Sequence, residues 1–119
     1  MFTILVVDDN EGMCETLGDI FTSEGFKVKT ALSGLEALKL ADENKFDILL
    51  TDLVMDGMDG VETLKKMKKT SPQTLLFAMT AYRADNRVKE AMKNGARQVF
   101  EKPFEIALVV NVFKRSMAE

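Results

Sequence analysis

The chain alternates between short apolar runs and longer stretches in which apolar residues recur every three or four positions. Ile48-Leu49-Leu50, inside Phe46–Leu53, is too short for a buried helix and lacks period-2 alternation. It reads as a strand covered on both faces, the centre of a parallel sheet, and it ends abruptly in Asp52. Thr3 to Val7 is a second such strand, closed by Asp8-Asp9-Asn10. Met13, Leu17, Ile20 and Phe21 then follow helical spacing up to Gly25, and Phe26 to Ala31 alternates as an edge strand does. Ser33 and Gly34 open a helix with Leu35, Leu38 and Ala41 expected inside. After the turn-rich Val54–Gly60 loop, Asp59 is the expected N-cap of a helix burying Val61, Leu64 and Met67. Ser71-Pro72 breaks that pattern, and Thr74 to Met79 forms a fourth strand ending at Thr80-Ala81. A helix on Val88, Ala91 and Met92 stops at Gly95. Arg97 to Glu101 is a fifth strand ending at Lys102-Pro103, and a last helix carries Leu108, Val109, Val112 and Phe113.

Strands alternating with helices imply an α/β fold, a doubly wound parallel sheet with helices on both faces and right-handed crossovers. The edge-like second strand and the fully apolar first and third suit the flavodoxin-like order 2-1-3-4-5 over one domain, residues 1–119. In such a sheet every strand ends on the same rim, and ligands bind there at the switch point between strands 1 and 3.

Composition narrows the function. With 119 residues, 46% hydrophobic and 29% charged, the chain can bury an ordinary core as one domain. No apolar run is long enough to span a membrane, and the apolar start runs straight into Asp8 and Asp9, so no signal peptide is expected. Cys14 is the single cysteine and cannot form an internal disulfide, which suits a reducing cytoplasm. A net charge of −3 argues against direct nucleic-acid binding. There is no histidine, so any metal must be held by oxygens and should be a hard ion such as Mg2+.

On this topology Asp8 and Asp9 leave strand 1, Asp52 strand 3, Thr80 strand 4 and Lys102 strand 5. Singly they have bland explanations: a turn Asp, a capping Thr, a surface Lys. Converging, they do not. Carboxylates a few ångströms apart repel by about 4 kcal/mol at an intermediate dielectric, so such a cluster persists best around a cation. Two or three carboxylates with water and a backbone carbonyl suit Mg2+. The Lys102 ammonium and the Thr80 hydroxyl are what the charged oxygens of a transferring phosphoryl group need. Asp52, alone on the central strand, is the best candidate to attack phosphorus and form an acyl phosphate.

Asp8-Asp9, Asp52, Thr80-Ala81 and Lys102-Pro103-Phe104, with Gly57-Met58-Asp59-Gly60 between them, resemble the receiver domain of bacterial two-component response regulators over essentially the whole chain. The resemblance implies that a sensor histidine kinase or phosphotransfer protein offers a phosphohistidine and Asp52 accepts the phosphoryl group. Asp9 and Asp52 would ligate Mg2+ directly, Asp8 mostly through water, and the Val54 backbone carbonyl would complete the protein ligands. Lys102 would pair with phosphoryl oxygens, Thr80 would move toward the new phosphate, and the Lys102–Pro103 bond would be cis. Departures from the family pattern are Asp56 where a proline is common and Val99 where an aromatic is usual, with Phe100 expected in the core and Tyr82 a candidate substitute. Val54 and Tyr82 would flank the phosphoryl group and shield it from water.

The expected partner surface is helix 4, strand 5 and helix 5, carrying Arg83, Arg87, Lys89, Lys93 and Arg97. No output domain follows the last helix, so the chain reads either as a single-domain regulator that docks on an effector or as the receiver of a longer protein. Phosphorylation-dependent homodimerisation is common in the family, but nothing in this sequence selects it. Two other readings compete. One is a degenerate receiver acting only as a scaffold. The other is an Asp-nucleophile phosphatase, which needs an acid two residues after Asp52, where this chain has Val54.

Overall fold

The computed structural model describes residues 1–81 and 86–118. Five strands alternate with five helices: β1 Thr3–Val7, α1 Glu11–Ser23, β2 Lys27–Ala31, α2 Gly34–Glu43, β3 Ile48–Asp52, α3 Gly60–Thr70, β4 Leu75–Thr80, α4 Asn86–Lys93, β5 Ala96–Glu101 and α5 Ile106–Met117. All pairings are parallel, in the order β2-β1-β3-β4-β5. The expected flavodoxin-like architecture is the one observed.

Side-chain alternation explains the unbroken apolar runs. Leu5, Val7, Leu49, Leu76 and Ala78 point to one face, where α2, α3 and α4 cover them with Ala37, Val61, Leu64, Met67 and Ala91. Ile4, Val6, Ile48, Leu50, Phe77 and Met79 point to the other, under Leu17 and Phe21 of α1 and Val109, Val110 and Phe113 of α5. Every residue of β3 is buried, as a central strand requires. Phe113 lies 4.9 Å from the ring of Phe77 and 5.5 Å from that of Phe21, and Phe100 stacks on Phe77 at 6.0 Å.

Three helix-phase expectations need correction. Leu35 is 64% exposed, and α2 turns Gly34, Ala37, Leu38 and Ala41 inward instead. Met92 and Leu108 are likewise about half exposed. On α5 the inner positions are Ile106, Val109, Val110 and Phe113.

Helix starts gather on the rim where strands end. Asn10 caps α1 by accepting the Met13 amide, Ser33 caps α2 through the Glu36 amide, and Asp59 caps α3 through the Glu62 amide. These helices therefore aim their electropositive ends at that rim. Gly25 follows α1 at φ 97°, where the Phe26 amide returns to the Phe21 carbonyl and turns the chain into β2.

Candidate functional site

The C-terminal ends of β1 and β3, adjacent in the sheet, bring Asp8, Asp9 and Asp52 together, with one carboxylate oxygen from each within 4.8 Å of the others. Asp8 and Asp52 are buried and Asp9 is exposed. Lys102, just beyond β5, reaches across the rim. Its ammonium donates to Asp8 Oδ2 at 2.8 Å and to Asp52 Oδ2 at 2.9 Å. One cation thus bridges acids from two strands and leaves a net negative cluster.

The surrounding backbone orients each acid. The Asn10 amide donates to Asp8 Oδ1 at 2.9 Å, and the Val54 amide to Asp52 Oδ1 at 3.1 Å. The Asp56 amide reaches Asp9 Oδ2 at 3.2 Å, so the loop after β3 is tied to the loop after β1. The Cys14 thiol donates to the Asp8 carbonyl at 3.3 Å and fastens the β1–α1 turn from below. None of these supports is readable from residue type, since three come from backbone amides. Cys14 carried only the signal of a small residue on the inner face of α1.

Burial pushes the Asp52 carboxyl above its ordinary pKa, outweighing the Lys102 hydrogen bond and the Val54 amide, which pull it down. Lys102 also loses hydration, which lowers its pKa. Its hydrogen bonds to Asp8 and Asp52, with their charges, more than offset this and hold it above the ordinary lysine value. The two directions are compatible because the ammonium is shared: it serves two carboxylates, while Asp52 receives half a partner.

Thr80 closes β4 one residue after Met79, the register partner of Asp52, and is buried. Its backbone carbonyl accepts the Lys102 amide at 2.8 Å, so Thr80 and Lys102 are linked through the main chain. Val54 is half-buried beside Asp52. The Lys102–Pro103 bond is cis, as the family resemblance implies. Phe100 is in the core and Val99 is partly buried on the opposite core face. Tyr82 and Arg83 lie outside the described residues. Of the remaining basic residues on the expected partner face, Arg87 pairs with Asp59 at 3.7 Å and Lys93 with Glu90 at 4.0 Å.

Three carboxylates converging without histidine or thiolate form an oxygen-only donor set, which fits a hard divalent cation. A carboxylate beside an ammonium, at the starts of several helices, is equally suited to receive a phosphoryl group. Among the described residues no helix is long and apolar enough to cross a membrane.

The family model of the response regulator receiver domain matches residues 4–114. Sporulation initiation phosphotransferase F of Bacillus subtilis (strain 168) is 36% identical over 112 residues, 94% of this chain and 90% of that protein. Transcriptional regulatory protein ZraR of Escherichia coli (strain K12) is 36% identical over 97% of this chain, which spans only 26% of ZraR's length. The structure of Vibrio cholerae chemotaxis protein CheY4 superimposes with a TM-score of 0.89 at 27% identity, covering 97% of this chain and 98% of that one. A CheY-like receiver domain protein from Methanospirillum hungatei JF-1 shares the fold at a TM-score of 0.94 over 99% of this chain and 94% of its own, with 24% identity. The chain belongs to the response regulator receiver domain family of two-component signalling.

Proposed function

We propose that the chain is a phosphoryl-accepting switch in which Asp52 is the acceptor, and that residues 1–119 act as one receiver unit. The observation that carries this reading is the buried Asp52 carboxylate at the end of the central strand, 2.9 Å from the Lys102 ammonium, with carboxylate oxygens of Asp8 and Asp9 within 4.8 Å. An Asp52 carboxylate oxygen attacks phosphorus of a phosphohistidine presented by a sensor kinase or phosphotransfer protein. The new O–P bond forms as the N–P bond breaks, and the imidazole leaves with the electron pair and takes a proton. Lys102 shifts its hydrogen bonds from the acids to the phosphoryl oxygens. The Thr80 hydroxyl, on the same rim, supplies a further donor.

Asp8, Asp9, Asp52 and the Val54 backbone carbonyl would hold Mg2+, which when bound neutralises charge on the carboxylates and phosphoryl oxygens. The Thr80–Lys102 main-chain link supports transmission to α4, β5 and α5, the surface proposed to meet an effector protein or a fused output domain. We place the exchange in the cytoplasm, the reducing setting that the lone buried thiol of Cys14 fits. Val54 offers no proton two residues after Asp52, which disfavours a phosphatase.

Incubation with acetyl phosphate and Mg2+, followed by intact mass measurement, tests the proposal. Wild type should gain one phosphoryl mass and Asp52→Asn none. No Asp52-dependent addition would overturn it in favour of a scaffold.

A further inference from the structure

Gly60 opens α3, yet the usual reasons for glycine do not apply there. Positive φ angles occur at Gly25, Gly57 and Gly95, not at Gly60. Glycine is a poor helix former, and the cap is already supplied by Asp59. What remains is room. A Cβ at position 60 would overlap the Asp52 carbonyl oxygen and lie 2.7 Å from Leu53 Cα and 2.9 Å from the Asp52 carbonyl carbon. These are backbone atoms, which cannot rotate aside as a side chain does. The approach is also held in place, because the Gly60 amide donates to the Leu53 carbonyl at 3.1 Å. The Leu53 amide in turn donates to the Met79 carbonyl at 3.0 Å, pinning the end of β3 to β4.

We propose that Gly60 is a positioning residue for the Asp52 carboxylate. Its missing side chain lets the first turn of α3 press on the end of β3, and that contact sets the depth at which Asp52 meets Lys102 and the Val54 amide. With a methyl group there, the first turn of α3 and the end of β3 must part, which disturbs the Asp52 carbonyl and the Val54 amide that follows it. The functional consequence rests on the reading of Asp52 as phosphoacceptor, whereas the geometric one does not.

Gly34 supplies the control. A Cβ there would strike the Thr63 hydroxyl and lie 3.0 Å from Met58 Sδ, so it strains side chains between α2 and α3 and leaves the β3 backbone alone. Gly60→Ala and Gly34→Ala should be compared with wild type under an osmolyte such as trimethylamine N-oxide, which favours the compact state. Three readouts are taken: the Val54 amide resonance without metal, Mg2+ affinity by calorimetry, and the rate of phosphorylation by acetyl phosphate. Gly60→Ala should shift the Val54 resonance and weaken Mg2+ binding by about tenfold to hundredfold, the usual effect of misplacing a ligand. Gly34→Ala should stay within about twofold of wild type in affinity. An unchanged Val54 resonance with unchanged affinity in Gly60→Ala would overturn the proposal. So would equal losses in both variants, or a Gly60→Ala chain that does not fold even in osmolyte. If wild type itself accepts no phosphoryl group, the phosphoacceptor reading fails while the resonance and Mg2+ comparison still decide the role of Gly60.

Discussion

Replacing Asp52 by Asn should make the metal-free protein more stable and the Mg2+-loaded protein no better than wild type. At an effective dielectric near 20, Asp8 repels Asp52 by about 3.5 kcal/mol if their nearest oxygens are 4.8 Å apart. Exposed Asp9 adds about 1 kcal/mol, since water screens it. Against this, Lys102 at 2.9 Å attracts Asp52 by about 6 kcal/mol in the same dielectric. Those terms leave a net attraction of about 1.5 kcal/mol, smaller than the desolvation of a buried carboxylate, worth several kcal/mol, which is therefore the deciding one. The raised pKa of Asp52 has the same sign. Asn keeps the shape and an acceptor for the Val54 amide but removes the charge, so a gain of about 2 kcal/mol is expected without metal, or about 8 °C in Tm for a domain of this size. In wild type, Mg2+ at one hundred times its Kd returns about 2.7 kcal/mol, an increment the variant largely lacks. Thermal unfolding followed by circular dichroism, in EDTA and in Mg2+, should therefore show the order of stabilities converge or cross. The pH dependence follows from the same cause. The native state holds the Asp52 proton more tightly than the unfolded chain does. The cost of ionising Asp52 is complete above its native pKa, and the gap between variant and wild type closes as pH falls through that value toward 3.8. An Asp52→Asn protein less stable than wild type in EDTA, or an equal Mg2+ shift in both, would refute the reasoning.

Lys102→Met should cost about 3 kcal/mol in urea unfolding without metal, because it leaves two buried acids without their cation. The native Lys102 pKa is raised, so its stabilisation is complete below pH 10.5 and fades only as pH climbs through the higher native value; a wild-type advantage that disappears at neutral pH would contradict this. Phe113→Ala should lose about 3–5 kcal/mol, since a fully buried ring packed against four others is removed, and denaturant titration with a loss under 1 kcal/mol would show that the core had closed over the gap. Burial, with the charge of Asp8, pushes the Cys14 thiol up to about 11, so labelling by a disulfide reagent at pH 8 should be about a hundredfold slower in the folded protein than in urea. Prompt stoichiometric labelling of the native state would contradict that burial.

Fold and site were legible to different depths. Thr3–Val7 and Phe46–Leu53 announced a two-face-covered sheet because both faces demand apolar side chains, and a parallel sheet fixes where Asp8, Asp9, Asp52, Thr80 and Lys102 emerge. Helix phase was less legible. On α2 the spacing of Leu35, Leu38 and Ala41 satisfies the helical period as well as Gly34, Ala37, Leu38 and Ala41 does, and the tight approach to Thr63 and Met58, which selects the small Gly34, is visible only in three dimensions. On α5 the helical period admits Leu108 as readily as Val110, and only the packing buries Val110. At the site, composition revealed the acids but not that Lys102 divides itself between two of them, nor that amides of Asn10, Val54 and Asp56 aim them.

The two sides of the sheet differ in what they are made of. On the side of α1 and α5, six phenylalanines interlock at set tilts, while the side under α2, α3 and α4 is almost wholly aliphatic. Ring pairs favour particular tilts and methyl groups do not, so two equally dense sides differ in how directional their packing is. The proposed partner surface of α4, β5 and α5 therefore straddles both kinds of packing, with α4 seated on the aliphatic side and α5 on the rings.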